Sequence, residues 1–126
     1  MPRIVVVDDD PSNTSLVKLL LEMDGFSVVT SPDIASAKTM ADGDTDAFLI
    51  DYHLARGANG LDLLRDIRQG KTSASTDSVV IVTSGDYRRE SESREAGANK
   101  FMLKPYRADA LSRELNRLLA ARKNNA

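Results

Sequence analysis

The chain has 126 residues, 41% hydrophobic and 29% charged, with no cysteine; this is one soluble domain's worth of sequence, without disulfides, thiolate metal sites or cysteine nucleophiles. Net charge is −2 but divided: residues 1–63 carry four Lys/Arg against eleven Asp/Glu, and residues 64–126 carry thirteen against eight, as an acidic site with basic helices after it would. No apolar run approaches the ~18 residues of a membrane span, Met1-Pro2-Arg3 does not begin a signal peptide, and the basic half, interleaved with Glu and poor in aromatics, does not read as a nucleic-acid surface.

Five short apolar runs read as strands: Ile4–Val7, Phe26–Val29, Ala47–Ile50, Val79–Val82 and Phe101–Leu103. The first, third and fourth are near-continuous, as strands covered on both faces are. After the first run, Asp10-Pro11 caps a helix whose stripe is Leu16, Leu20 and Met23, with Leu19 alongside. Asp24-Gly25 stops it. Pro32-Asp33 opens a second helix with Ile34, Ala37 and Ala41 inward, and a third carries Leu61, Leu64 and Ile67. Residues Asp86–Ala96 make a fourth, closed by Gly97, with almost no apolar face. It is expected to be loosely held and to serve as a mobile partner surface. The last helix carries Leu111, Leu115, Leu118 and Leu119, and the tail from Arg122 is expected to fray. A strand–helix alternation repeated five times predicts a parallel sheet with helices on both faces. The expected organisation is a single domain over residues 1–123, a frayed tail at 124–126 and no effector domain.

Ligands of such sheets bind beyond the carboxyl ends of the strands. There the sequence places Asp8, Asp9 and Asp10 after the first strand, Asp51 after the third, Thr83-Ser84 after the fourth and Lys104-Pro105 after the fifth. Asp10 has a cap to make. Asp8, Asp9 and Asp51 would repel one another unless a cation sat among them, and Mg²⁺, which takes a few carboxylates and accepts phosphate oxygens, suits them. Taken singly, each has a plainer reading: a solvated turn for the Asp run, a loop cap for Asp51, a solvated charge for Lys104, an ordinary strand residue for Thr83. Together they supply a metal site, a carboxylate nucleophile, a hydroxyl donor and a cation, the parts needed for phosphoryl transfer to an aspartate.

In this ordered set the chain resembles a response-regulator receiver domain over essentially its whole length. The matching residues are Asp8-Asp9, Asp51 in Phe-Leu-Ile-Asp-Tyr-His-Leu, Thr83-Ser84-Gly85, Gly97-Ala98 and Lys104-Pro105. The resemblance implies an α/β flavodoxin-like (βα)5 fold of strand order 2-1-3-4-5, with Asp51 as phosphoacceptor. It implies Mg²⁺ held by the side chains of Asp8, Asp9 and Asp51 and by the backbone carbonyl of His53. Thr83 and Lys104 would contact the phosphoryl group, and Lys104-Pro105 would be a cis peptide. The donor would be a sensor histidine kinase or histidine phosphotransfer protein, in the cytoplasm, without direct contact to nucleic acid or membrane. The domain would not be an enzyme, beyond assisting its own Mg²⁺-dependent phosphorylation and dephosphorylation.

The resemblance also implies a switch in which Thr83 moves inward, Phe101 moves with it, and the face of the fourth helix, fifth strand and fifth helix changes. Phe101 as plain core is the other reading. His53, two past the acceptor, and Gly85, two past Thr83, are candidate modulators of water access. The loop Tyr52–Gly60 departs from the common pattern: it has Leu54-Ala55 where Met-Pro is usual, and its glycine lies nine rather than eight past Asp51. Such loops resemble receivers attached to hybrid sensor kinases, although Met1 favours a chain that stands alone.

Two other classes compete. A haloacid-dehalogenase-like phosphatase would use Asp8-Asp9-Asp10-Pro11-Ser12 as a near Asp-x-Asp-x-Thr motif, but a helix begins at once and no cap segment exists. A phosphorylation-independent docking module would not need its acids intact. A flavodoxin is disfavoured because the acidic first loop would repel a flavin phosphate.

Overall fold

Alternation in the strands divides the apolar residues between two cores. In the first strand, β1 (Arg3–Val7), Val5 and Val7 face one side and Ile4 and Val6 the other. Phe48 and Ile50 of β3 (Thr45–Asp51) and Val80 and Val82 of β4 (Val79–Ser84) join the first core. Ala47, Leu49, Val79 and Ile81 join the second. With β2 (Ser27–Ser31) and β5 (Lys100–Leu103), these strands form one parallel sheet in the order β2-β1-β3-β4-β5. The computed structural model describes residues 1–124. The architecture is the expected flavodoxin-like one. Helices α2 (Ile34–Met40) and α3 (Gly60–Arg68) cover the first core; α1 (Pro11–Met23) and α5 (Ala108–Asn124) cover the second. The fourth helix, α4 (Glu90–Glu95), comes after a 3₁₀ turn at Tyr87–Arg89. No helix among the described residues is long and apolar enough to cross a membrane.

Three details differ from the sequence reading. Helix α1 buries Thr14, Val17 and Leu21, while Leu16, Leu19 and Met23 are 55%, 56% and 74% exposed. The sheet needs only one narrow stripe, and Val17–Leu21 at i, i+4 supplies it, so the leucines expected inside lie outside. Helix α4 is short, but it has polar anchors. Ser93 is fully buried and donates to the Arg89 carbonyl at 2.7 Å, and Glu92 accepts from Tyr52 at 2.7 Å. Finally, α5 continues through Asn124, because Arg122 reaches back to the Asp46 carbonyl at 3.2 Å and Asp77 Oδ1 at 2.9 Å. The rest of the expected tail, 125–126, lies outside the described residues.

Arg68 closes the end of the sheet opposite the site. It donates to the carbonyls of Gly97 (3.0 Å), Thr76 (2.8 Å) and Ser78 (2.7 Å) and to Asn99 Oδ1 (2.9 Å). One side chain thereby satisfies the ends of two loops.

Candidate functional site

The carboxyl edge of the sheet assembles the polar residues. Asp8 comes directly after β1, Asp51 ends β3, Thr83 is its register partner on β4, and Lys104 comes directly after β5. Lys104 Nζ lies 3.0 Å from Asp51 Oδ2 and 3.5 Å from Asp8 Oδ2. Asp8, Asp9 and Asp51 each place a carboxylate oxygen within 4.8 Å of the others. Asp8 and Asp51 are buried, Asp9 is exposed, and Lys104-Pro105 is a cis peptide.

Three carboxylates face one ammonium, and the local balance is negative. Burial pushes the Asp51 carboxyl above its ordinary value and the neighbouring Asp8 adds to this, while Lys104 opposes it. Burial works against the Lys104 charge, but the two aspartates outweigh it and hold the ammonium above its usual range. Tyr106 is pushed up to about 12, by burial first and then by Asp8 and Asp51. A hard divalent cation fits this donor set: the clustered atoms are all carboxylate oxygens, partly desolvated and short of positive charge.

The other expected residues surround this cluster. Asp10 caps α1, accepting from the amides of Ser12 (3.0 Å) and Asn13 (3.4 Å). Its carboxylate is thus engaged, which argues against a phosphatase acid there. His53 is exposed; its amide points to Asp51 Oδ1 at 3.4 Å and its ring meets Tyr52 edge-on at 4.6 Å. Gly85 is exposed, and a Cβ there would meet nothing. Thr83 is buried. Phe101 is one register step away, paired with Val82 and already buried in the α2–α3 core.

The lengthened loop leaves the acids in place. Leu54 N–H bonds the Ala58 carbonyl at 3.0 Å, with Arg56 (φ 61°) and Gly57 (φ 72°) making the bend. Asn59 then caps α3 through Leu61 N–H at 2.9 Å, and Gly60 N–H returns to the Tyr52 carbonyl at 2.8 Å. The extra residue is absorbed in an exposed turn. Gly60 is obligatory, since a Cβ would stand 2.2 Å from the Asp51 carbonyl oxygen.

The sequence reading missed Asn13, Tyr52 and Tyr106. Asn13 could have been found, because it lies on the first turn of α1, five residues past Asp8, and faces back to it. Its Nδ2 donates to Asp8 Oδ2 at 2.7 Å. Tyr106 and Leu111 form one wall of a groove of about 440 Å³, and Leu16, Val17 and Leu20 form the other. Asn13 and Lys104 also line it, which joins the groove to the acidic cluster.

A family model described as the response regulator receiver domain matches residues 4–116. The transcriptional regulatory protein CpxR of Escherichia coli strain K12 is 34% identical over 106 residues, covering 84% of this chain and 44% of CpxR. The sensory/regulatory protein RpfC of Xanthomonas campestris pv. campestris strain 8004 is 34% identical over 112 residues, covering 86% of this chain and 15% of RpfC. The chain therefore spans less than half the length of these curated relatives. Among solved structures, a CheY-like receiver domain protein from Methanospirillum hungatei JF-1 superimposes with a TM-score of 0.88 at 21% identity, covering 100% of this chain and 99% of that one. This last likeness is one of fold.

Proposed function

The chain belongs to the response regulator receiver domain family of two-component signalling, and on that premise we propose that it is a phosphorylation-dependent switch with Asp51 as its phosphoacceptor. The observation that carries this is Lys104 Nζ held between Asp51 and Asp8 beside a third carboxylate. The Asp51 carboxylate attacks the phosphorus of a phosphohistidine. The P–O bond forms, the P–N bond breaks, and the departing imidazole nitrogen keeps the electron pair and takes a proton. Lys104 turns from Asp51 to the phosphoryl oxygens, and the Thr83 hydroxyl donates to another. Catalysis is positioning and charge neutralisation.

Asp8, Asp9 and Asp51, with the His53 carbonyl, would hold Mg²⁺. The ion would offset the negative charge of the acids and of the incoming phosphoryl oxygens. Burial of Asp51 keeps bulk water from the acyl phosphate, while exposed His53 and open Gly85 set how much water reaches it.

The donor is a histidine kinase or phosphotransfer protein in the cytoplasm, and its helices would dock on the α1 groove. Exposed Leu16 gives that groove apolar area, and exposed Leu19 and Met23 add to the apolar surface of α1. Output runs through Thr83 and Phe101 to the face of α4, β5 and α5. Intact mass after incubation with acetyl phosphate tests this reading. One phosphoryl adduct is expected with Mg²⁺, and none without Mg²⁺ or in Asp51→Asn. If neither an adduct nor Mg²⁺ binding is found, the site is a docking surface that works without phosphorylation.

A further inference from the structure

Both oxygens of Asp8 are engaged. Oδ1 accepts the Asp10 amide at 3.0 Å; Oδ2 accepts Asn13 Nδ2 at 2.7 Å and meets Lys104 Nζ at 3.5 Å. The neutral amide thus makes the shorter contact and the ammonium the longer. Lys104 makes its own short contact, 3.0 Å, with Asp51. Asn13 is held in turn by its helix, since its backbone N–H donates to the Asp10 carboxylate and α1 is seated by Val17 and Leu21. An amide donor orients a carboxylate without cancelling its charge, whereas an ammonium cancels it.

We propose that Asn13 is a positioning residue: by occupying Asp8 Oδ2 it keeps Lys104 on Asp51 and leaves Asp8 oriented and charged for a divalent cation. This rests on the metal-binding reading of the acidic cluster. When the amide is removed, the Asp8 carboxylate is released to turn about its soft terminal torsion and close on Lys104. A cation entering the site must then break that ion pair. Donors that hold a metal ligand from behind typically change metal affinity by about ten- to a hundredfold. Asn13 also lines the α1 groove, so a partner seated there meets the side chain that sets the metal ligand.

The test is Mg²⁺ titration by calorimetry on the full chain, as wild type, Asn13→Ala, Lys104→Met and the double variant. Thermal unfolding in chelator verifies that each is folded. Asn13→Ala is expected to weaken Mg²⁺ binding about tenfold. In the Lys104→Met background, where no ammonium competes, the same substitution is expected to change affinity less than about twofold. A general structural role would give the same loss in both backgrounds and overturn the proposal, as would an unchanged constant in Asn13→Ala. Failure of the wild type to bind Mg²⁺ overturns the metal reading itself, and this proposal with it.

Discussion

The Tyr52 hydroxyl donates to Glu92 Oε1 across 2.7 Å, tying the residue beside Asp51 to α4. Arg89 completes the contact, with its guanidinium 5.3 Å from the Tyr52 ring centre and 3.2 Å from Glu92. The hydrogen bond from Tyr52, helped by Arg89, holds the Glu92 carboxyl below its usual range. Burial, then the acceptance by Glu92, raises the Tyr52 phenol. Helix α4 has one fully buried side chain, Ser93, so this contact fixes much of its position. Tyr52→Phe is expected to cost about 1 kcal/mol and to speed amide exchange across 90–95 roughly fivefold. Unchanged exchange would show that α4 is held by its backbone packing alone.

Gly60 has no room for a methyl group, because its Cβ would sit 2.2 Å from backbone oxygen rather than from a flexible side chain. Gly60→Ala must push the Tyr52–Gly60 loop away from β3. The expected loss is about 2–3 kcal/mol of stability by denaturant titration, together with weaker Mg²⁺ binding. A variant of wild-type stability would mean that the loop relaxes freely.

Leu16 is more than half exposed at 55% and borders the groove. Leu16→Ser is expected to alter stability by no more than ~0.5 kcal/mol and to leave phosphorylation by acetyl phosphate unchanged. Transfer from a protein donor should slow severalfold. Equal slowing with both donors would place the effect in the site rather than in docking.

Asp51 and Tyr106 give pH signatures of the same sign, with burial the first cause of both. The Asp51 carboxyl is raised by burial, so its stabilising contribution is present below the ordinary ~3.9 and is lost as pH rises through the raised value. At neutral pH without Mg²⁺, Asp51→Asn should therefore be more stable than the wild type, with a higher melting temperature. The Tyr106 phenol, raised to about 12, contributes stability that is present below the ordinary ~10 and lost as pH rises through that higher value. Asp51→Asn removes one of the charges that raise it, so phenolate absorbance should appear at lower pH. An unchanged alkaline midpoint and an unchanged melting temperature would show that Asp51 carries no excess charge there.

The strands and the meeting of Asp8, Asp9, Asp51 and Lys104 were legible because continuous Val/Ile runs force two-sided burial and bring the residues at their carboxyl ends to one edge; the strand order followed only from the resemblance to receiver domains. Helix α1 was misread because six of its residues, Leu16, Val17, Leu19, Leu20, Leu21 and Met23, are large and apolar, and composition does not say which face the sheet needs. Val17 and Leu21 fill it, leaving Leu16, Leu19 and Met23 to solvent. Tyr52 with Glu92 was illegible because partners 40 positions apart meet only once the crossover is formed. Gly60 lay one position off the familiar spacing, and only the Ala55–Ala58 bend explains why the offset is harmless.

Reductive trapping tests the central claim most directly. After incubation with Mg²⁺ and acetyl phosphate, borohydride reduces an aspartyl phosphate to homoserine, and peptide mass spectrometry locates it. Homoserine at position 51, abolished by chelator and absent from Asp51→Asn, is the expected result. Trapped product at Asp8 or Asp9 with position 51 unmodified would contradict it.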